Sequence, residues 1–235
     1  MAIVGLYLEK RVYLYELYYT VKKWLFYLIP RTLVITGSRY NKHIRVNEEH
    51  GQPKLLVNGT RESGESVELL WKHAFSHLGL PKSSEVHTIL VIGVAGGTVI
   101  HMLRNHFPNA PMMGIDIDPL MIDIGKKYFH LNTVPLLQLV PIDARKYVKQ
   151  HATHQYDIII LDVYIGADLP DFLLSEKFHS LLRTLLSNTG SLYINYEYLV
   201  GYEEKVGTLR SVLHKFYKTV RSTDIETNRF FLVRR

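Results

Sequence analysis

The chain has 235 residues, a length for one domain with at most a small appendage and enough to bury a sizeable core. Its 47% apolar and 21% charged residues exclude a disordered polypeptide, and its lack of cysteine excludes disulfides, thiolate zinc sites, iron–sulfur clusters and a cysteine nucleophile. Residues 1–45 hold eight Lys/Arg against two acids, which is the whole net charge of +6; the remaining body is neutral and no general polyanion binder, so nucleic acid is not expected as a partner.

Residues 12–29 are predicted to be a helix that Pro30 stops. Leu14, Leu17, Val21, Trp24 and Leu28 recur at alternating spacings of 3 and 4, which makes one apolar seam with Lys22 and Lys23 off it. Such a face needs cover. A second copy of the chain would use the seam, giving a homo-oligomer through the N-terminal region. An anionic membrane surface would take the apolar face and the Lys/Arg together. The chain's own body is the third option. No run of about 18 uncharged apolar residues occurs, so no spanning helix is expected. The N-terminal apolar run is broken by Glu9, Lys10 and Arg11 and is no signal peptide. The expected location is cytoplasmic, with peripheral membrane association as an option.

Residues 32–59 are β-rich: Thr32–Thr36, His43–Glu48 and Lys54–Val57 are short runs of β-branched and apolar residues punctuated by Gly37, Gly51 and Asn58-Gly59. Gly64 precedes a helical pattern over Ser66–Leu78, and Pro81–Glu85 reads as a linker. From Thr88 onward strands alternate with helices. Strands are expected at Ile89–Ile92, Met112–Ile117, Leu136–Ile142, Tyr156–Leu161 and Ser191–Tyr196. Helices are expected at Thr98–Asn105, from Asp118-Pro119 as cap and first residue, and at Ala144–Gln150, Ser175–Leu186 and Glu203–Phe216. Lys218–Ser222 and Arg229–Val233 are too close together for a crossover helix, so they form an antiparallel pair. The pattern is a mostly parallel α/β sheet of seven strands closed by a C-terminal hairpin. The division expected is residues 1–30 as a basic amphipathic helix, 31–65 as a small β-domain, and 66–235 as the nucleoside-binding body.

In such sheets ligands sit beyond the carboxyl ends of the strands. The first strand ends in Gly93-Val94-Ala95-Gly96-Gly97-Thr98, glycines that let the backbone turn sharply or approach a ligand, although the spacing is not that of the dinucleotide fingerprint. Asp116, 20 residues after Gly96, ends the second strand and can accept both hydroxyls of a ribose; Asp118 reads better as a helix cap. Asp143 ends the third strand, where it can accept from an adenine amino group or cap the next helix. Asp162 ends the fourth, ahead of a long segment carrying Tyr164, Gly166, Asp168, Pro170 and Asp171. Asn195-Tyr196-Glu197-Tyr198 ends the fifth. The twelve histidines offer no ligand constellation, so no metal is expected. No nucleophile elbow and no P-loop is present.

These residues carry a family likeness. Residues 88–235 resemble the class I S-adenosylmethionine-dependent methyltransferase fold, and within it the spermidine synthase (polyamine aminopropyltransferase) group. The likeness extends back to about residue 36 through Ser38-x-Tyr40, Ile44-x-Val46, Gly51 and Leu55-Leu56-Val57-Asn58-Gly59. Ile92–Thr98, Ile115-Asp116-Ile117-Asp118-Pro119, Asp143-Ala144-Arg145 and Tyr156–Asp162 follow in the family's order. Asp162-x-Tyr164-x-Gly166-x-x-x-Pro170 and Leu174-x-Glu176-x-Phe178 are similar to a divergent branch. The resemblance implies a Rossmann-like domain that binds S-adenosylmethionine or its decarboxylated form as co-substrate, through Gly93, Ala95, Gly96, Gly97, Asp116, Ile117, Asp143 and Ala144. It implies Asp162 and Tyr164 as catalytic residues, with Asp162 accepting the proton of the attacking amine, and Glu62, Asp168 and Glu197 facing an amine substrate. This chain departs from the pattern in four places: the glycine loop is shortened and lacks an Asp, Ile165 replaces a second acid, Glu62 stands where a Gln is usual, and an aromatic–polar pair is missing near Ser66-Val67. Aminopropyl transfer to an amine is the leading expectation; methyl transfer from S-adenosylmethionine and a non-catalytic scaffold with a degenerate pocket are the alternatives.

Overall fold

The computed structural model describes Tyr18, Val21 and residues 29–164, 170–197 and 201–235. The helix expected over 12–29 lies outside the described residues except for Tyr18 and Val21, which are helical and exposed, and Ile29, which is an exposed bend. Among the described residues no helix is long and apolar enough to cross a membrane.

Four strands open the described chain: β1 (Arg31–Thr36), β2 (Ile44–Glu49), β3 (Gln52–Val57) and β4 (Thr60–Ser63), an antiparallel meander in sequence order. Period-two alternation turns Ile44 and Val46 of β2 and Leu55 and Val57 of β3 to one buried face. β4 escaped the sequence reading because Thr-Arg-Glu-Ser has no apolar signal. It is a strand because Asn58 and Gly59, both with positive φ, make a tight hairpin turn that returns the chain along β3. That pairing is irregular. Leu55 faces Ser63 and Leu56 faces Arg61, so Glu62 is the extra residue of a bulge.

The second sheet has seven strands: β5 (Ile89–Ile92), β6 (Met112–Asp116), β7 (Leu137–Pro141), β8 (Tyr156–Leu161), β9 (Leu186–Glu197), β10 (Thr219–Ile225) and β11 (Asn228–Arg234). Their order is β10-β11-β9-β8-β5-β6-β7; β5 to β9 run parallel, and β11 runs antiparallel to both its neighbours. The chain leaves β5 toward β6 and β7, then returns to β8 on the other side, which makes the carboxyl end of β5 the switch point of the sheet. Six helices flank it: α1 (Glu65–Leu78), α2 (Thr98–His106), α3 (Pro119–Tyr128), α4 (Ala144–Gln150), α5 (Glu176–Leu185) and α6 (Glu203–Phe216). α4, α5 and α6 bury Tyr147, Leu182, Leu209 and Leu213 on one face, while α1 and α2 bury Trp71, Phe75, Ile100 and Leu103 on the other. All four residues of β5 are buried, as a strand covered on both faces requires.

The two sheets meet at α3. Ile44, Val46, Leu55 and Val57 pack on Met121, Ile124 and Phe129. At the head of that helix Asp118, fully buried, accepts the Leu120 amide at 3.1 Å as the helix cap and also takes the Asn41 side-chain amide at 2.8 Å and the Ser38 hydroxyl. Ser38 Oγ in turn accepts the amides of Tyr40 and Asn41. One carboxylate thus caps a helix and pins the β1–β2 loop to it. Asp118→Ala removes the cap and leaves buried donors unpartnered, so we expect a loss of about 2–4 kcal/mol in a denaturant melt. A loss below about 0.5 kcal/mol, the level of an ordinary surface change, would show that the loop is held elsewhere.

Candidate active site

Because β5 to β9 are parallel, their carboxyl ends share one edge, and the sequence-predicted residues converge there. Gly93 ends β5 with φ +92°. A Cβ at that position would lie 1.8 Å from the Asp162 carbonyl oxygen, so glycine alone lets the ends of β5 and β8 lie against each other. The Asp162 amide donates to the Ile92 carbonyl at 2.9 Å across the same contact. The loop then turns through Ala95, a non-glycine residue at φ +45°, and enters α2 at Gly97, φ +81°. The Gly96 amide donates to Ser63 Oγ at 2.8 Å and the Gly64 amide to Thr98 Oγ1 at 3.0 Å, which clasps the loop to the end of β4.

Over this edge lies a cleft of about 740 Å³, its open mouth included. Gly93, Ala95, Asp116, Ile117, Asp143, Ala144, Asp162 and Tyr164 line it, together with apolar Ile92, Ile115, Ile142 and Phe172. Gly96 and Gly97 do not line this cleft. The space beside Gly96 is filled by Ser63 and that beside Gly97 by Leu131, so these two glycines shape the loop.

Asp116 accepts the amides of Val94 at 3.0 Å, Ala95 at 3.3 Å and Asp118 at 2.9 Å. Burial pushes its carboxyl above the usual range, and the three amides pull it back. About four acceptor positions exist on a carboxylate, so a ribose diol would have to share or displace the loop amides. Asp143 caps α4 by accepting the Arg145 amide at 2.7 Å, and the Arg145 guanidinium grips the same carboxylate, holding it below the usual range. Arg145 also lies over the Phe172 ring at 5.4 Å. Asp143 is thus a helix cap that also lines the cleft.

A second cleft of about 840 Å³, its mouth included, opens between β4, α1 and the β10–β11 turn. Glu62, Trp71, Asp162, Tyr164, Asn195, Glu197 and Asn228 line it. Glu62, Asp162 and Tyr164 border both clefts. The Asp162 carboxylate is held at both oxygens: Asn195 Nδ2 donates to Oδ1 at 2.9 Å and Trp71 Nε1 to Oδ2 at 3.1 Å. Asn195 is itself oriented by Asn228, whose amide donates to its Oδ1 at 2.9 Å. Burial pushes Asp162 up to about 6, and these two donors restrain the rise. Glu62 is pushed up to about 8 by burial and by the charges of Asp162, Glu197 and Asp116. Burial also raises Glu197. Tyr164 is pushed well above its ordinary value by burial and the three acids around it, so its hydroxyl stays protonated. Among the described lining residues the cationic side chains are Arg61, on the exposed rim, and Arg145, which Asp143 already holds. The site is therefore an acid-lined interior in a basic protein, and a cationic guest relieves its repulsion.

Asp168 lies outside the described residues. Trp71 and Asn228 were missed in the sequence, since a helix and a hairpin turn give no strand-end signal; the one clue was that a buried indole N–H needs an acceptor. Asn195 stood in a strand-end motif that singled out its neighbour Glu197. No group of three or more His, Asp or Glu among the described residues is arranged to hold a metal ion.

Similarity to known proteins follows the same geography. The chain is 32% identical over 142 residues to a polyamine aminopropyltransferase of Vibrio vulnificus, covering 59% of this chain and 48% of that protein. It is also 32% identical over 124 residues to an N-terminal histidine N-methyltransferase of Emericella nidulans, covering 50% of this chain and 21% of that protein. It therefore spans less than half the length of either relative. The spermidine synthase of Thermotoga maritima superposes with a TM-score of 0.65 at 16% identity, over 86% of this chain and 72% of that one, which shows the shared fold. Residues 68–222, which carry the carboxyl ends of β5 to β9 but neither β4 nor the β10–β11 turn, match the spermine/spermidine synthase domain, and the chain belongs to that family.

Proposed function

We propose that the protein transfers an aminopropyl group from decarboxylated S-adenosylmethionine to an amine. The observation that carries this reading is the place of Asp162, a carboxylate on the wall shared by two clefts, one suited to a nucleoside and the other acid-lined. The first cleft offers Asp116 to a ribose, apolar Ile117, Ile142 and Ala144 to a purine, and Asp143 at its edge. The second offers Glu197 to a cationic acceptor, with Glu62 on the wall it shares with the first; Asp168, outside the described residues, is proposed for the same role on its sequence alone. An amine must be neutral to attack. Its nitrogen forms a bond to the propyl carbon next to sulfur, the C–S bond breaks, the sulfur keeps the electron pair, and methylthioadenosine leaves neutral. The proton shed by the nitrogen passes to Asp162, whose raised pKa suits a base working near neutrality. Tyr164, protonated and adjacent, can orient the amine. Trp71, Asn195 and Asn228 position Asp162.

A second reading is methyl transfer from S-adenosylmethionine, favoured by the likeness to a histidine N-methyltransferase and by a glycine loop that carries no acid. The two separate on one assay: incubation with each donor and a panel of diamines, with product identified by mass.

The N-terminal residues enter the same proposal through their sequence. We read residues 1–30 as an oligomerisation helix, 31–65 as a small β-domain and 66–235 as the transferase body; the exposed Val21 belongs to the helix's apolar seam.

Four outcomes are expected. Asp162→Asn should lower turnover roughly 10²–10⁴-fold, the scale of a lost general base, with methylthioadenosine affinity near normal. In the wild type kcat/KM should fall as pH drops through about 6, where Asp162 takes up its proton, and that limb should vanish from the residual activity of Asp162→Asn. Asp116→Ala should weaken methylthioadenosine binding in calorimetry by at least about tenfold, or about 1.4 kcal/mol; wild-type affinity would move the ribose site elsewhere. Light scattering should show a larger particle for the full chain than for a version starting at Arg31, and equal monomers would leave the helix to a membrane or to the chain's own body.

A further inference from the structure

Resting on that reading, we propose that Glu62 binds the ammonium at the end of the donor's aminopropyl arm. Three observations converge on it. Glu62 is the extra residue of the β3–β4 bulge, and bulges re-aim a side chain out of the regular alternation. It borders the nucleoside cleft, the acceptor cleft and a third, smaller recess of about 330 Å³, its open mouth included, between the glycine loop and α1. The acids lining that small recess are Glu62 and Asp162, among Ser63, Val67, Val94 and Thr98. Asp162 is committed to Trp71 and Asn195 through both oxygens, whereas the Glu62 carboxylate has no hydrogen-bond or ion-pair partner among the described residues. A three-carbon arm that leaves sulfur beside Asp162 and turns toward Gly93 and Ala95 enters this recess. The loop there, Gly93 to Gly97, has no acid of its own to meet the arm's charge.

The surroundings account for why the partner must be a cation. Glu62 faces Asp162 at the end of β8, Glu197 at the end of β9 and Asp116 at the end of β6, with Tyr164 beside them and Arg61 on the rim. Burial, and after it the charges of those acids, hold its proton on at neutral pH in the free protein. An ammonium placed among them reverses the balance, so binding the arm should expel that proton.

The test compares two stable ligands, methylthioadenosine and 5′-(3-aminopropylthio)-5′-deoxyadenosine, which share the nucleoside and a neutral sulfur and differ by the arm's ammonium. Calorimetry of the full chain at pH 7 should show the aminopropyl compound binding at least about tenfold more tightly. Titrations in buffers of different ionisation enthalpy should show about one proton released with it and none with methylthioadenosine. In Glu62→Gln the preference should fall below about twofold and the proton release should disappear, with methylthioadenosine affinity unchanged. Glu62→Asp, shorter but still anionic, should keep part of the preference and serves if the Gln variant does not fold. Melting supplies a check on folding: Glu62 charges as pH rises through about 8, a cost the amide lacks, so Glu62→Gln should melt at or above the wild type at pH 9. If Glu62→Gln keeps both preference and proton release, or weakens both ligands equally, the assignment is wrong. If the wild type binds methylthioadenosine without preferring the arm, the assignment fails while the nucleoside site stands. If it binds neither ligand, the proposed function fails first.

Discussion

Gly93 and Asp162 touch backbone to backbone, with no room for a side chain on the glycine, and the rest of the site depends on that contact. It brings the carboxyl ends of β5 and β8 together at the switch point of the sheet, the one place where neighbouring crossovers diverge and leave a crevice. It also sets the Asp162 side chain at the border of two clefts instead of inside either. From there the indole of α1 and the amide of Asn195 can reach one oxygen each. A β-branched or even a methyl side chain at position 93 would force the two strands apart and move the carboxylate with them.

The second organising feature is charge left unneutralised. Elsewhere in the chain carboxylates are satisfied in ordinary ways: Asp118 by a helix end and two side chains, Asp143 by its cap amide and Arg145, Glu49 by Lys54. Around the two clefts Glu62, Asp162 and Glu197 are drawn into partial burial with no Lys or Arg paired to them among the described residues, and their ionisation is pushed upward together. Burying acids this way costs stability at alkaline pH. Such an arrangement favours a positively charged guest, which is the physical basis of the proposed sulfonium donor and amine acceptor.

Asp116 and Asp118 show how strand geometry separates roles two residues apart. The first faces the cleft and is tied to the glycine loop; the second is turned into the protein, where it caps α3 and anchors the β1–β2 loop. The small antiparallel sheet is thereby seated on the helix that follows β6, and its last strand delivers Glu62 to the clefts. The two sheets are coupled at the point where chemistry would occur.

The sequence by itself determined the alternation of strands and helices from Thr88 onward, the antiparallel closing pair, and the acids at successive strand ends, because period-two and 3.6 patterns and cap residues are local signals. Asp118 was legible as a cap for the same reason. What only the tertiary structure decided were the facts that join distant segments. β4 has no apolar pattern and exists because a hairpin turn lays it on β3. Glu62 points into the clefts because that pairing is irregular, which no composition records. Trp71 and Asn195 meet Asp162 from 91 and 33 residues away, and Asn228 reaches Asn195 across the final hairpin. Strand order, which set Asp162 beside Gly93 and far from β7, is fixed by burial of whole faces and not by any one stretch of chain.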